Sequence, residues 1–258
     1  MLSHQSRGTG LPVVFVHGFP FDSRMWQPQL DGLSDGFRLI APDLRGFGRS
    51  PAPGEGPLTM DSHADDLAAL LDGLGIERAV FCGLSMGGYV LFSMWRRHRE
   101  RVRALVLCST RADADTEGAR ANRRALAERA LREGAASVAD AMIPSVLSSE
   151  TRENRPDVVA LVREMIEGTD PGTIARGQEG MARRTDSTDL LPEINVPTLL
   201  LFGSEDPISP VAVGDEMCRS LPDARMVVIP GAAHLPNLED PAAFNAPLLE
   251  FLGAVTGE

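Results

Sequence analysis

The sequence is poor in cysteine, with only Cys82, Cys108 and Cys218. An odd count with no C-x-x-C pair argues against a disulfide framework. Basic stripes are also missing. Lys and Arg number 25 against 36 Asp and Glu, for a formal net charge of −11. Nucleic acid and anionic membrane surfaces are therefore poor partners, and the charge is read as solubility. No apolar run approaches the length of a membrane span, so no membrane insertion is expected. The opening residues MLSHQSRGTG are polar and contain no hydrophobic signal core, which makes a cytoplasmic location the default expectation. Aromatics make up 5% and give no sign of an aromatic cage. Neither a metal-ligand cluster nor a phosphate-binding glycine loop is visible, so no metal and no organic cofactor is expected. Repeats and low-complexity tracts are absent.

What is present is a chain of 258 residues, 43% of them apolar, enough for one large domain. Short β-branched runs recur at 11–18, 37–43, 78–83, 103–109, 197–203 and 224–231. Each is continuous rather than alternating, as for strands buried on both faces of a parallel sheet. Helical patterns lie between most of them. Over 63–74, Ala64, Leu67, Ala68, Leu70, Leu71 and Leu74 recur at three- and four-residue steps, with Thr59 as a plausible cap. The alternation predicts a doubly wound α/β sheet. Residues 111–190 break it. They hold no strand-like run, and 118–143 reads as helix, with Pro144, Pro156 and Pro171 dividing the segment. An insertion this long exceeds an ordinary crossover and predicts a helical lid over the C-terminal edge of the sheet. The expected division is a core of 1–110 and 191–258 with a helical cap of 111–190 in the same domain.

The chemistry centres on Gly83-Leu84-Ser85-Met86-Gly87. A lone G-x-S-x-G is weak, but here a strand precedes it and a helical pattern follows. Ser85 would stand at the tip of a strand–turn–helix elbow. A serine hydroxyl needs a base. Of five histidines, His4 is terminal, His17 fits as an organiser of its turn, His63 starts a helix and His98 lies in a charged helix end. His234, after the last strand, is the candidate base. Asp206, past another strand and followed by Pro207, is the candidate acid that orients it. Glu205 reads as solvated, and Asp113 and Asp115 read as hinge or surface carboxylates. Oxyanion donors are expected from the Met86 N–H and from the Phe19 N–H in HGFP; Pro20 has no N–H to offer.

HGFP (17–20), DLRGFGRS (43–50), GLSMGG (83–88), GSEDPISP (203–210) and GAAHLPNLEDP (231–241) together resemble the α/β-hydrolase superfamily. The chain order Ser85, Asp206, His234 matches that family's triad order. The resemblance implies an α/β-hydrolase fold: a mostly parallel sheet of about eight strands, flanked by helices, with a helical cap inserted after strand 6. The N-terminal hairpin looks shortened, with 2–8 as one strand. Within the family the chain resembles the carboxylesterase and 3-oxoadipate enol-lactonase branch. The implied activity is hydrolysis of a small-molecule ester or lactone through an acyl-enzyme. Cofactor-free perhydrolases or haloperoxidases and C–C bond hydrolases share the pattern. A ligand receptor with slow hydrolysis is the alternative of another class. In DLRGFGRS, Arg45 and Arg49 are read as structural rather than as anion binders. Trp26, Met142, Leu147 and Met181 are the candidate pocket residues, and an apolar lining would favour uncharged esters.

Overall fold

Six apolar runs of the sequence become six strands, because side chains on both faces of a central strand meet helices rather than water. In the computed structural model, residues 1–33, 36–51 and 54–256 are described; the pairs 34–35, 52–53 and 257–258, which fall within the expected core segments, lie outside them. The first half runs β1 (His4–Arg7), β2 (Leu11–Val16), α1 (Gln27–Gly32), β3 (Phe37–Pro42), α2 (Met60–Gly73), β4 (Ala79–Leu84), α3 (Met86–His98) and β5 (Val102–Cys108). Five helices follow without a strand: α4 (Glu117–Glu133), α5 (Ala135–Val146), α6 (Ser149–Asn154), α7 (Pro156–Glu167) and α8 (Pro171–Ala182). The chain returns through β6 (Thr198–Gly203), α9 (Val211–Ser220), β7 (Ala224–Ile229), α10 (Pro236–Glu239) and α11 (Pro241–Thr256).

The sheet order is β1-β3-β2-β4-β5-β6-β7. The β1–β3 pair is antiparallel and all other pairs are parallel. Seven strands are described against about eight expected. The N-terminal strand stands alone at the edge, so the helical insertion follows the fifth described strand. Strand order reverses direction at β2, whose neighbours are β3 and β4. Such a switch point opens a crevice at the carboxyl ends of the strands.

Local chemistry explains most boundaries. The Thr59 hydroxyl accepts from the Ser62 N–H at 3.1 Å and caps α2. Pro156 and Pro171 occupy the first turns of α7 and α8, where the missing N–H costs nothing. Two expectations differ from the structure. The predicted helix 118–143 is split at Gly134, which sits at φ 82° and needs glycine's freedom. Pro144 does not divide anything, for it lies in the last turn of α5. β7 is only half-buried because it is the far edge of the sheet. Its Arg225 pairs with Glu250 at 2.7 Å, a charge that guards the open edge. Cys82 and Cys108 are free, buried thiols 3.7 Å apart on neighbouring strands.

Candidate active site

β4 ends at Leu84 and α3 begins at Met86, so the whole turn rests on Ser85. Its backbone lies at φ 54°, ψ −112°, a region that side chains rarely occupy. The turn is this tight because α3 approaches the sheet closely. A Cβ on Gly87 would lie 2.2 Å from the Val16 carbonyl oxygen of β2. The Thr110 hydroxyl, beyond β5, donates to the Ser85 carbonyl at 2.8 Å and ties the elbow to the next strand end. Ser85 is half-buried while its neighbours Leu84 and Met86 are buried.

Asp206 and His234 come together. His234 Nδ1 lies 2.8 Å from Asp206 Oδ2, and both side chains are nearly inaccessible to water. The other Asp206 oxygen accepts from the N–H groups of Ile208 and Ser209, at 2.8 and 3.0 Å. The carboxylate is therefore fixed by its own loop, with one oxygen reserved for the imidazole. Gly203 permits this meeting, since a Cβ there would lie 2.0 Å from the Ala233 carbonyl oxygen. Glu205 is exposed. A further carboxylate, which sequence reasoning missed, holds the imidazole loop from behind. Glu239 accepts from the Ala233 N–H and from the Ser148 N–H, both at 2.8 Å, and so bridges the residue before His234 to the cap of α6.

The turn after β2 is held by His17. The Leu44 N–H donates to His17 Nε2 at 2.9 Å, which leaves Nδ1 as the donor to the Gly18 carbonyl at 2.8 Å. Burial pushes this imidazole's pKa down, so it is neutral. Asp43 completes the frame by accepting from the Ser23 and Arg49 N–H groups at 2.9 and 3.0 Å. Arg45 pairs with Asp66 on α2, and Arg49 is exposed, 3.9 Å from Asp43. The DLRGFGRS string thus serves as a brace between loops. Among the described residues, neither the Phe19 N–H nor the Met86 N–H has a protein acceptor; Met86 is the first residue of α3, where N–H groups have no intrahelical partner.

Ser85, His234 and Phe19 open on one cavity of about 640 Å³, a volume suited to a small organic molecule. Tyr89, Arg111 and Ile208 complete its sheet side. The helical segment supplies Met142, Val146 and Met181 as an apolar wall, and Asn122, Arg123 and Gln178 as a polar one. Of the candidate pocket residues, Met142 and Met181 are on this cavity. Trp26 and Leu147 are not. The Trp26 ring is fully buried against Phe15 and Phe244, at centroid distances of 5.1 and 6.2 Å, and Leu147 is in the core. The lining is not purely apolar, because Arg111, Asp115 and Arg123 also belong to it. Asp115 is no surface carboxylate: its side chain is buried between Arg123 and Arg184, and Arg184 stacks 4.2 Å from the Tyr89 ring centroid. No group of three or more His, Cys, Asp or Glu placed to hold a metal occurs among the described residues. No helix among them is long and apolar enough to cross a membrane.

The profile of a family described as alpha/beta hydrolase fold matches residues 12–241. The chain is 46% identical to a solved thermophilic esterase from Thermogutta terrifontis, with malate bound, at a TM-score of 0.96 over 99% of this chain and 94% of that one. It is 30% identical to 3-oxoadipate enol-lactonase 2 of Acinetobacter baylyi, over 90% of this chain and 85% of the relative. It is 31% identical to the non-heme chloroperoxidase CPO-A1 of Kitasatospora aureofaciens, over 95% and 93%.

Proposed function

The chain belongs to the α/β-hydrolase-fold family, and on that premise we propose that it is a serine hydrolase of carboxylic esters or lactones. The observation that carries the reading is the buried 2.8 Å contact between His234 and Asp206, on the same cavity as an elbow serine. Ser85 Oγ attacks the carbonyl carbon while His234 Nε2 takes its proton. Asp206 holds Nδ1 protonated and stabilises the imidazolium. The Phe19 and Met86 N–H groups receive the oxyanion, and the imidazolium returns the proton to the leaving alcohol. Water, deprotonated by the same histidine, then cleaves the acyl-enzyme. For a lactone the leaving alcohol stays attached to the acyl chain. Within the cap, α4, α5 and α8 form the wall that selects the acyl or alcohol group.

The test is steady-state hydrolysis of p-nitrophenyl acetate, butyrate and octanoate and of a γ-lactone, by wild type and by Ser85→Ala. The reading expects multiple turnovers in the wild type and a loss of about 10⁴-fold or more in the variant. Equal rates in a folded variant would overturn it. A single burst without turnover would favour a receptor that retains its acyl product. The likeness to a chloroperoxidase supports one further assay, peracid formation from acetate and hydrogen peroxide.

A further inference from the structure

The cavity wall beside Ser85 holds two arginines, and they are not equivalent. Arg123 is consumed within the protein. Its guanidinium binds Asp115 through Nε and one terminal nitrogen, and the other terminal nitrogen reaches Gln178 Oε1 at 3.1 Å. Asp115 is in turn shared with Arg184. Arg111 is different. Only its Nε is engaged, donating to Asp113 at 2.8 Å. Among the described residues neither of its terminal nitrogens has a protein acceptor, although Arg111 lines the cavity and its side chain is about two-thirds covered. Asp113 is not among the residues that line the cavity, and the carboxylate that is, Asp115, already faces two arginines. The lining thus carries two arginines against one carboxylate, inside a protein of charge −11. Arg111 also follows directly on Thr110, which is bonded to the Ser85 carbonyl, so its position is tied to the nucleophile's strand end.

We infer that Arg111 receives a free carboxylate on the substrate, and that the site takes small esters or lactones carrying such a group. The end-on edge of a guanidinium presents two parallel N–H donors that match a carboxylate's two oxygens. This inference rests on the serine-hydrolase reading for the reaction, but its binding component can be tested apart from it. Two substrate pairs serve. Monomethyl glutarate carries the carboxylate on the acyl side and 4-acetoxybutanoate on the alcohol side; each is compared with its neutral carboxamide counterpart. Calorimetry with Ser85→Ala protein measures binding without turnover. At least one carboxylate should bind about 10- to 100-fold more tightly than its amide. The preference should vanish when Arg111→Gln is added and return in part with Arg111→Lys, with melting curves showing that all three proteins are folded. No preference in either pair, or a preference that survives Arg111→Gln, would overturn the inference. Turnover by the wild type is scored separately. An Arg111-dependent binding preference with no hydrolysis sinks the hydrolase reading alone. Hydrolysis of both members at equal rates, with no dependence on Arg111, sinks this inference alone.

Discussion

At Ser85 the left-handed backbone has a cost in stability that glycine would avoid. Ser85→Gly should therefore be more stable than Ser85→Ala by about 1 kcal/mol in urea unfolding, with both variants inactive. His63 carries a cost of another kind. It is fully buried, and neither ring nitrogen has a partner among the described residues. Burial, helped by the neighbouring His17 and Arg45, lowers its pKa from 6.5 to about 3. Between those values the unfolded chain binds the proton and the folded chain does not, so stability falls as pH drops below about 6.5. His63→Leu should be neutral or stabilising at pH 7. It should also retain about 2–3 kcal/mol that the wild type loses between pH 7 and 4.5, as read by urea unfolding at both pH values. Ser85 and His234 could be singled out in the sequence because each follows an apolar strand-like run and has a glycine within three positions. Arg111 could not, since membership of a cavity wall is decided by helices distant in sequence. Trp26 could be placed only once Phe15 and Phe244 were seen to enclose it.

Among the elements, α3 is the one held most tightly to the sheet. Gly87→Ala would drive a methyl group into the Val16 carbonyl, with backbone on both sides and no flexible side chain to yield. An increase in unfolding tendency of about 2 kcal/mol or more is expected, and on the proposed mechanism a loss of p-nitrophenyl ester hydrolysis with it, since the Met86 N–H would be displaced. α4 is the opposite case. Ala130 is its only buried residue, and its exposed face is laced with Arg–Glu pairs. Its fixed points are packing on α8 and the Arg123–Asp115–Arg184 cluster. Asp115→Asn leaves two arginines short of a countercharge and should cost about 3–5 kcal/mol in denaturant unfolding. Strand and helix positions were readable because periodicity and caps are local. The break at Gly134 was hidden inside a run whose composition favours helix throughout, and the half-exposure of β7 depends on its place at the edge, which a run of apolar residues does not encode.

Across the whole molecule, Glu239 joins the two halves that enclose the cavity. Its two oxygens each accept one N–H, one beside His234 and one at the start of α6. A glutamine offers one oxygen and one amino group, so Glu239→Gln sets a donor against a donor. The variant should lose about 1–3 kcal/mol of stability and turn over p-nitrophenyl butyrate more slowly, with Glu239→Asp as a control that keeps the charge. The fold was legible at this scale because alternation of strand and helix leaves few topologies; the bridge was not, because it joins residues 91 positions apart. The helical segment leaves the sheet after β5 and returns at β6, and those strands are hydrogen-bonded neighbours. Both of its ends are thus pinned to adjacent rails, and sheet pairing is indifferent to what lies between them. A chain built this way can exchange one wall of its cavity as a cassette while elbow, carboxylate and imidazole stay in register, provided that the new wall still offers Glu239 the N–H that Ser148 supplies.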